Sequence, residues 1–352
     1  MLRVFVTLLL AAVCSFAQAT NEPLGPLTPD FQEWLKGNGY EDFNFAKIEF
    51  GKLGSYGGKS NASEEVKNTP VIFIHGNSDG ALDNHTPYGT GWSKSIAYFL
   101  QNGYTTAELY ATTWGNRNPK HSFERTHDCK DLTYLRNFIL AVLGYTRAPT
   151  RTHDCKDLSY LRNFILAVLG YTGAPKVNVI SHSMGVTLAR PIIKGMITAE
   201  FGNGTTKVIF CPPPLAPLNN LIDNFIAISG GNYGLCLCSP KGMIDVPGCN
   251  KMNGFWPGSC ENAQCTSPEA PNCKDVLYTS YLEEANRNTL KEGRNTYAIW
   301  STVDEILGAE NFVFGRHTSS YPTMDEKRIF YNYTHIETKD RTVELQLKWL
   351  KN

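Results

Sequence analysis

KVNVISHSMGVTLARP, residues 176–191, passes from an apolar strand pattern into a helical pattern around a central serine. A sharp turn between a strand and a helix lifts a serine side chain clear of a sheet, and small residues must flank it. The usual pattern at such a turn is G-x-S-x-G, whereas here Ser181 replaces the first glycine. We predict that Ser183 is a nucleophile, provided that the chain also supplies a base, an acid and donors for an oxyanion.

Apolar strands alternate with amphipathic helices on both sides of this turn. Helical spacing occurs at 91–104, 186–197 and 341–350. The strand-like segments are 71–74, 105–114, 176–181, 224–229 and 296–301, with a further extended segment at 328–333. This alternation favours an α/β fold with a mainly parallel sheet that helices cover on both faces. Ligands bind such sheets beyond the carboxyl ends of the strands.

The first nineteen residues have the features of a secretory signal peptide. A short basic start and an apolar run lead to Ala17-Gln18-Ala19, a small-residue cleavage pattern. The apolar run is shorter than the roughly 18 to 20 residues of a membrane-spanning helix, and no later run reaches that length. We therefore expect a signal peptide at 1–19 and a secreted, extracellular domain at 20–352 without a transmembrane segment.

The charge balance argues against some partners. The formal net charge is +0 and no basic run appears, so nothing favours binding to nucleic acid or to an anionic membrane. No protein partner is indicated either. Four Asn-x-Ser/Thr sequons fit a secreted glycoprotein. They begin at Asn61, Asn84, Asn203 and Asn332.

Six of the ten cysteines crowd into a segment rich in Gly, Pro and Asn between residues 230 and 275. In a secreted chain we expect disulfide bonds there, whereas a zinc cluster would suit an intracellular protein. The spacing leaves their pairing open. The segment either caps an acyl pocket, with Phe255 and Trp256 available to line it, or is only a structural staple. The six cysteines are Cys236, Cys238, Cys249, Cys260, Cys265 and Cys273.

Residues 125–150 and 151–176 form a tandem repeat of nearly identical sequence. Each copy predicts an amphipathic helix, but a parallel strand–helix–strand crossover needs only one. Because the second copy continues directly into a strand, we expect it to occupy the crossover and the first copy to be extruded or packed peripherally. Cys129 and Cys155 are the same cysteine in two copies, so one of them is expected to be a spare thiol.

The near-identity of the copies has several explanations. A recent exon duplication, or a gene model that joins two alternative exons, accounts for it better than a functional demand. A two-repeat solenoid is the structural alternative, although stacked arrays usually need at least three units.

Backbone N–H groups for an oxyanion are expected at two turns. Met184 follows the candidate nucleophile at the start of a helix, where the helix dipole favours negative charge. Asn77 follows His75-Gly76 at the end of the first strand, and the glycine lets the backbone bend toward the same place. We expect His75 to be a structural hydrogen-bonding residue, because the base of such hydrolases comes last in chain order.

The acid is expected at the end of a strand beyond the nucleophile. Asp304 follows the fifth strand and fits this position, and its neighbour Glu305 is a weaker rival. Asp223 precedes its strand, while Asp245 and Asp275 lie in or beside the Cys-rich segment, so these three fit less well.

Two histidines follow the candidate acid, and either could be the base. His335 comes after an extended segment and before the last helix, so a loop can hold it over Ser183. His317 lies in the polar loop GRHTSSYPT, where we expect a solvated surface side chain. We therefore favour His335.

Four motifs in this order resemble those of the class 2 lipases: VIFIHGN (71–77), NVISHSMG (178–185), WSTVDE (300–305) and THIETKD (334–340). These are secreted triacylglycerol lipases and esterases of the α/β-hydrolase fold, with bacterial and nematode members. The resemblance covers nearly the whole mature chain outside the duplicated copy. The ordered set is specific, whereas each motif alone is weak.

The resemblance implies a serine carboxylic-ester hydrolase, in particular a triacylglycerol lipase. It implies Ser183 as the nucleophile, Asp304 as the acid and His335 as the base. The backbones of Asn77 and Met184 are implied to form the oxyanion hole. The implied substrate is a lipid or another ester, bound at a lipid–water interface in the case of a lipase, and neither a metal nor an organic cofactor is needed.

Two features bear on how well the chain fits this family. Members often carry another small residue at the first glycine of the turn, so Ser181 is compatible. Pro191 falls about two turns into the following helix, where it removes a hydrogen bond and should kink the helix at a cost of about 3 kcal/mol. The kink and the extra helix leave open a non-catalytic lipid-binding protein on the same fold. A small-substrate esterase or an acyltransferase would use the same triad.

Overall fold

The structure is a computed structural model. It describes residues 22–143, 171–196, 199–201, 208–210, 216–239, 246–270, 273 and 276–351. The predicted signal peptide at 1–19, residues 151–170 of the second repeat copy and the sequon at Asn203 lie outside these residues. Within the described ranges, no helix is both long enough and apolar enough to cross a membrane.

A seven-stranded sheet forms the centre of the molecule. Its strands, in spatial order, are β1 (Ser55–Tyr56), β3 (Leu109–Thr112), β2 (Val71–Ile74), β4 (Val177–His182), β7 (Ile222–Ile228), β8 (Asn295–Ser301) and β11 (Glu326–Phe330). β1 pairs antiparallel with β3, and the other pairings are parallel. Two hairpins lie outside the sheet: β5 (Ala199–Phe201) with β6 (Val208–Phe210), and β9 (Phe312–Val313) with β10 (Arg316–His317). The predicted parallel sheet is confirmed, and the two-residue strand β1 was too short to leave a sequence pattern.

Helices cover both faces of the sheet. They are α1 (Pro29–Gly37), α2 (Ser93–Gln101), α3 (Cys129–Leu143), α4 (Met184–Lys194), α5 (Ser280–Arg287), α6 (His335–Asp340) and α7 (Val343–Leu350). Successive side chains of a strand point to opposite faces. Ile72 and Ile74 of β2 accordingly join a core with α1, α3 and α4, while Val71 and Phe73 join a second core with α2 and α7. This doubly covered, mainly parallel sheet is that of the α/β-hydrolase fold, as expected.

α3 comes from the first repeat copy and packs inside the fold. Leu135, Phe138 and Ile139 of this helix are each 0% exposed and belong to the core shared with α1 and α4. Burying three such side chains contributes roughly 1.5–3 kcal/mol each, which an extruded helix would lose. The expectation that the first copy, 125–150, is extruded or packed peripherally is therefore wrong for its described helix.

His127, just before α3, adds polar contacts that fix the first copy. Its Nε2 lies 2.6 Å from the hydroxyl oxygen of Thr187 on α4, and its Nδ1 lies 2.8 Å from the carbonyl oxygen of Asn253. Its ring stacks on Tyr281 with the ring centres 4.4 Å apart. These contacts tie the start of the first copy to α4 and to the Cys-rich insertion.

Three disulfide bonds staple the Cys-rich insertion, which confirms the prediction for its six cysteines. They join Cys236 to Cys265, Cys238 to Cys249 and Cys260 to Cys273. Phe255 packs against His127 with the ring centres 4.7 Å apart, so it belongs to the core beneath the insertion. Cys155 lies outside the described residues, and a spare thiol at Cys129 or Cys155 stays a prediction.

α4 continues through Pro191 to Lys194. Proline has no N–H, so the carbonyl group of Thr187, four residues earlier, loses its helical donor. The hydroxyl of Tyr281 on α5 donates a hydrogen bond to that carbonyl oxygen at 2.8 Å. A neighbouring helix thus replaces the hydrogen bond that the proline removes.

Candidate active site

Ser183 stands at the junction of β4 and α4 with a φ of 55° and a ψ of −129°. A positive φ at a residue other than glycine costs on the order of 1–3 kcal/mol. The Ser183 N–H donates to the carbonyl oxygen of Ile228 at 2.8 Å, and its own carbonyl oxygen accepts from the N–H of Val186 at 3.0 Å. Both sides of the turn are therefore fixed, and the serine lies at the carboxyl end of a parallel strand.

Two glycines let the chain pack closely around this turn. A β-carbon on Gly76 would lie 2.7 Å from the Cβ of Ser183. A β-carbon on Gly185 would lie 2.4 Å from the carbonyl oxygen of His75. Both distances are too short for a side chain, so the loop after β2 and the start of α4 can approach each other only through glycines.

Position 181 does not require a glycine. Ser181 is a regular residue of β4, pairs with Ala227 of β7 and is fully buried. Its hydroxyl donates to the carbonyl oxygen of Ile226 at 3.4 Å. The strand conformation accepts a side chain here, and the hydroxyl group finds a backbone partner.

His335 and Asp304 form a buried pair beyond the ends of two strands. The Nδ1 of His335, the first residue of α6, lies 2.8 Å from Oδ2 and 3.0 Å from Oδ1 of Asp304. Oδ1 also accepts from the backbone N–H groups of Ile306 and Leu307, each at 3.0 Å. Burial alone would raise the pKa of Asp304, but His335 and these hydrogen bonds hold it below its ordinary value. An ionised Asp304 keeps the proton on Nδ1, which leaves Nε2 able to accept one.

The backbone of His335 is held at both its N–H and its carbonyl group. The N–H donates to the carboxylate of Glu305 at 2.9 Å. The carbonyl oxygen accepts from Nε2 of His182 at 3.1 Å and from the hydroxyl of Thr338 at 2.6 Å. Glu305, the weaker rival for the acid, therefore contacts the main chain of His335, whereas Asp304 contacts its ring.

Ser183 and His335 are neighbours through His182. The rings of His182 and His335 lie with their centres 4.6 Å apart, and Ser183 is the next residue after His182. Within the described part of the chain, the hydroxyl of Ser183 makes no hydrogen bond to the His335 ring. Such bonds are commonly long without substrate and tighten when it binds.

Two backbone N–H groups at this place have no protein acceptor. Those of Asn77 and Met184 donate to no other group in the described ranges. Met184 is the first residue of α4, where N–H groups lack helical acceptors. Asn77 follows Gly76, where an added β-carbon would lie 2.7 Å from the Cβ of Ser183, and the Asn77 side chain donates to the carbonyl oxygen of Ser122 at 2.8 Å. The arrangement leaves two donors near Ser183 for an anionic oxygen.

His75 is a structural residue, as predicted. Its Nδ1 lies 2.7 Å from the carbonyl oxygen of Gly76, and its Nε2 accepts from the backbone N–H of Trp114 at 2.9 Å. Burial lowers its pKa to about 3. A neutral His75 thus links the loop after β2 to the end of β3.

The rival residues make other contacts. His317 is half-buried and stacks on Phe312, with the ring centres 4.2 Å apart, so it is not the solvated residue expected. Asp223 lies near the amino end of β7 and pairs with Arg294 at 2.9 Å, at the opposite edge of the sheet from Ser183. Asp245 and Asp275 lie outside the described residues.

A family model described as "Lipase (class 2)" matches residues 68–150 and 147–348. The chain belongs to the class 2 lipase family. The two matches meet at 147–150, where the first repeat copy ends and the second begins. A comparison with curated proteins finds no match.

Solved structures that resemble this class 2 lipase family member are distant in sequence. Lipase B of Aspergillus fumigatus is 13% identical with a TM-score of 0.45, and the match covers 85% of this chain and 56% of that one. The monoacylglycerol lipase of Paleococcus ferrophilus is 13% identical with a TM-score of 0.40, over 80% and 95% of the two chains. An extracellular α/β-hydrolase from a Paenibacillus species is 10% identical with a TM-score of 0.41, over 80% and 98%. This chain thus spans little more than half the length of the Aspergillus lipase.

Three residues that hold the His335 main chain are not identifiable from the sequence in this role: Glu305, His182 and Thr338. Their bonds to the His335 main chain depend on strand order, which brings separate loops together. The sequence offered one signal, the capping box of Thr334 and Glu337 at the start of α6, which fixes where that helix begins.

Proposed function

We propose that this member of the class 2 lipase family is a secreted serine carboxylic-ester hydrolase that acts on triacylglycerols. The observation that carries the proposal is the position of Ser183. It lies in a strained strand-to-helix turn, directly after His182, whose ring contacts the buried His335–Asp304 pair, and the N–H groups of Asn77 and Met184 there have no protein acceptor in the described ranges. These are the parts that acyl transfer through a serine needs.

The chemistry runs through an acyl-enzyme. The hydroxyl oxygen of Ser183 attacks the ester carbonyl carbon while Nε2 of His335 takes its proton. The N–H groups of Asn77 and Met184 stabilise the negative oxygen of the tetrahedral intermediate. As the carbon–oxygen ester bond breaks, His335 returns its proton to the departing alcohol. His335 then removes a proton from a water molecule, which attacks the acyl group and releases Ser183.

Asp304 orients the imidazole throughout and stabilises its protonated form. Its carboxylate touches Nδ1 of His335, while the N–H groups of Ile306 and Leu307 fix the carboxylate. Although Asp304 is buried, His335 and the backbone hydrogen bonds lower its pKa, so it remains charged during turnover.

Exposed apolar side chains beside the candidate site support a lipid substrate. Val303 and Ile306 flank Asp304 and are 53% and 42% exposed, and Tyr331, which follows β11, is 72% exposed. All three follow the carboxyl ends of parallel strands, where the ester would bind. Export is supported by the three disulfide bonds, because such bonds persist in oxidising compartments.

The test is hydrolysis of short- and long-chain p-nitrophenyl esters and of emulsified triacylglycerol. We expect Ser183→Ala and His335→Ala to lower kcat by about 10³-fold or more, because each removes a group that reacts. His317→Ala is the matched control and should retain turnover. Wild-type hydrolysis that survives Ser183→Ala would overturn the mechanism. Lack of turnover on every ester would favour a lipid-binding protein. Faster release of p-nitrophenol when an alcohol is added would favour acyl transfer to that alcohol.

A further inference from the structure

A buried ion pair lies behind the candidate site. The Nζ of Lys339 lies 2.8 Å from Oδ2 of Asp79, and the two side chains are 1% and 3% exposed. The ammonium also donates to the carbonyl oxygen of Gly91 at 2.6 Å and lies 5.4 Å from the centre of the Trp92 ring. Every one of these partners comes from the chain between β2 and the start of α2.

The pair joins two parts of the proposed machinery. Asp79 is two residues after Asn77, and its Oδ1 accepts the N–H groups of Gly80 at 2.8 Å and of Gly91 at 2.9 Å. Asp79 thereby closes the segment 76–91, which we name the 76–91 loop. Lys339 lies one turn after His335 on α6. The Asp79 carboxylate therefore joins the 76–91 loop, which contains the Asn77 N–H, to α6, which contains the candidate base.

Stability alone does not explain a buried pair. Well-packed apolar residues of similar volume often replace such a pair without loss, because removing two charges from water costs nearly as much as their attraction returns. Burial would by itself raise the pKa of Asp79, but the charge of Lys339 and the hydrogen bonds from Lys339 and Gly91 hold it below its ordinary value. The carboxylate is therefore charged at neutral pH, and the contact is directional.

We infer that Asp79 and Lys339 are positioning residues, which set the Asn77 N–H at a fixed distance from the His335 ring. The inference rests on the proposed function. The two reacting elements belong to segments 260 positions apart in the chain, and α6 has six residues, too few to fix its own direction. The strand ends place the 76–91 loop and α6 at the same edge of the sheet. The Asp79–Lys339 ion pair then fixes the position of the loop relative to the helix.

Alignment of this kind affects turnover more than binding. A reacting group displaced by about 1 Å can cost about 10²-fold in rate, and loss of one oxyanion donor costs about 10²- to 10³-fold in kcat. Neither Asp79 nor Lys339 forms a hydrogen bond or an ion pair with Ser183 or Asp304 in the described structure. Their removal should therefore lower kcat while leaving the KM nearly unchanged.

The decisive variant is the double substitution Asp79→Asn with Lys339→Met. Asparagine keeps an oxygen for the N–H groups of Gly80 and Gly91, and methionine keeps the buried volume, so the protein should fold with a urea midpoint near that of the wild type. We expect kcat to fall 10- to 100-fold and the KM to stay within about twofold.

Single variants and a control separate positioning from folding. Lys339→Met alone leaves a buried charge unpaired and should lower the urea midpoint, which the added Asp79→Asn restores. Lys94→Met is the matched control, because Lys94 pairs with Asp340 of the same helix at 3.0 Å but is 59% exposed. It should change neither kcat nor the urea midpoint.

A second readout does not depend on ester hydrolysis. Tyr88 is 50% exposed in the 76–91 loop, and chymotrypsin should cleave after it several-fold faster in the double variant, but not in Lys94→Met. A double variant with wild-type kcat and wild-type cleavage would overturn the inference. Absence of hydrolysis in the wild type would overturn the proposed function, and the cleavage rates would still decide whether the pair fixes the loop.

Discussion

At the scale of single residues, Tyr281 supplies the hydrogen bond that Pro191 removes from α4. The proline leaves the Thr187 carbonyl group without its helical donor, and Thr187 is 1% exposed, so water cannot take that place. A buried carbonyl group without a partner costs about 1–3 kcal/mol. The hydroxyl of Tyr281 supplies the donor, so a proline is tolerated about two turns after the nucleophile. The sequence reveals the proline, but its compensation comes from a helix far along the chain.

Tyr281→Phe should lower the free energy of unfolding by about 1–3 kcal/mol, because it removes the only hydroxyl that bonds the Thr187 carbonyl in the described structure. Urea denaturation measures the change. In a Pro191→Ala background the alanine N–H can bond that carbonyl, so the same substitution should cost less. Equal costs in the two backgrounds would contradict the compensation, and Tyr88→Phe at an exposed tyrosine should cost nothing.

At the scale of elements, the docking of α3 depends on side chains that both repeat copies carry. The buried positions Leu132, Leu135, Phe138, Ile139 and Val142 recur as the same residue types 26 positions later in the sequence. The copies differ only at Thr133, Arg147 and Thr150, which become Ser159, Gly173 and Lys176. The binding surface for α3 therefore cannot distinguish the copies by their apolar face.

Deleting residues 125–150 or residues 151–176 should give two folded proteins of nearly equal stability. The two shortened chains differ at three positions, and each retains one helix for the crossover, which is all that the fold needs. We expect their thermal midpoints to lie within a few degrees of each other and their ester hydrolysis to be similar. Thermal denaturation and the p-nitrophenyl ester assay make the comparison.

The matched control places a charge on the docked face. Leu135→Asp in the chain that lacks 151–176 should prevent folding, because the carboxylate would be buried without a partner. If only one of the two deletions folds, the copies are not equivalent and the sequence outside their shared apolar face decides which copy docks.

At the scale of the whole molecule, three buried histidines make the fold sensitive to acid. His75, His127 and His182 are at most 1% exposed. Burial lowers the pKa of His75 to about 3 and that of His127 to about 4, and holds that of His182 well below its ordinary value. In the unfolded chain each binds a proton near pH 6.5. As the pH falls from 6.5 to 4, the unfolded state therefore binds more protons than the folded state, and the free energy of unfolding decreases.

We expect this decrease to reach about 2 kcal/mol per histidine at pH 5. His127→Gln should be less stable than the wild type at pH 7, because it loses the ring contacts with Tyr281 and Phe255. Its further loss between pH 7 and pH 5 should be smaller by about that amount. Urea midpoints at the two pH values test this, with His85→Gln at an exposed histidine as the control. An identical pH dependence in His127→Gln and the wild type would refute the explanation.

The sequence predicted those features that depend on local pattern. Apolar runs such as VIFI located the strands, and the turn around Ser183 located the edge at which polar residues gather. It failed where distant segments meet. The bonds of His127 to Thr187 and Asn253 fix the first repeat copy to the fold, yet nothing local in the sequence shows them. The Asp79–Lys339 pair likewise depends on the spatial order of the strands, which no single segment encodes.

The hydrogen bond from the His335 N–H to Glu305 makes the exchange rate of this amide a measure of motion at the candidate acid–base pair in the protein without substrate. Glu305 and Asp304 share one loop, so an opening that separates Asp304 from the imidazole also frees this amide. An amide proton exchanges with deuterium only when its hydrogen bond opens. The exchange rate of the His335 amide therefore reports how often Asp304 and the His335 imidazole separate in the absence of ester.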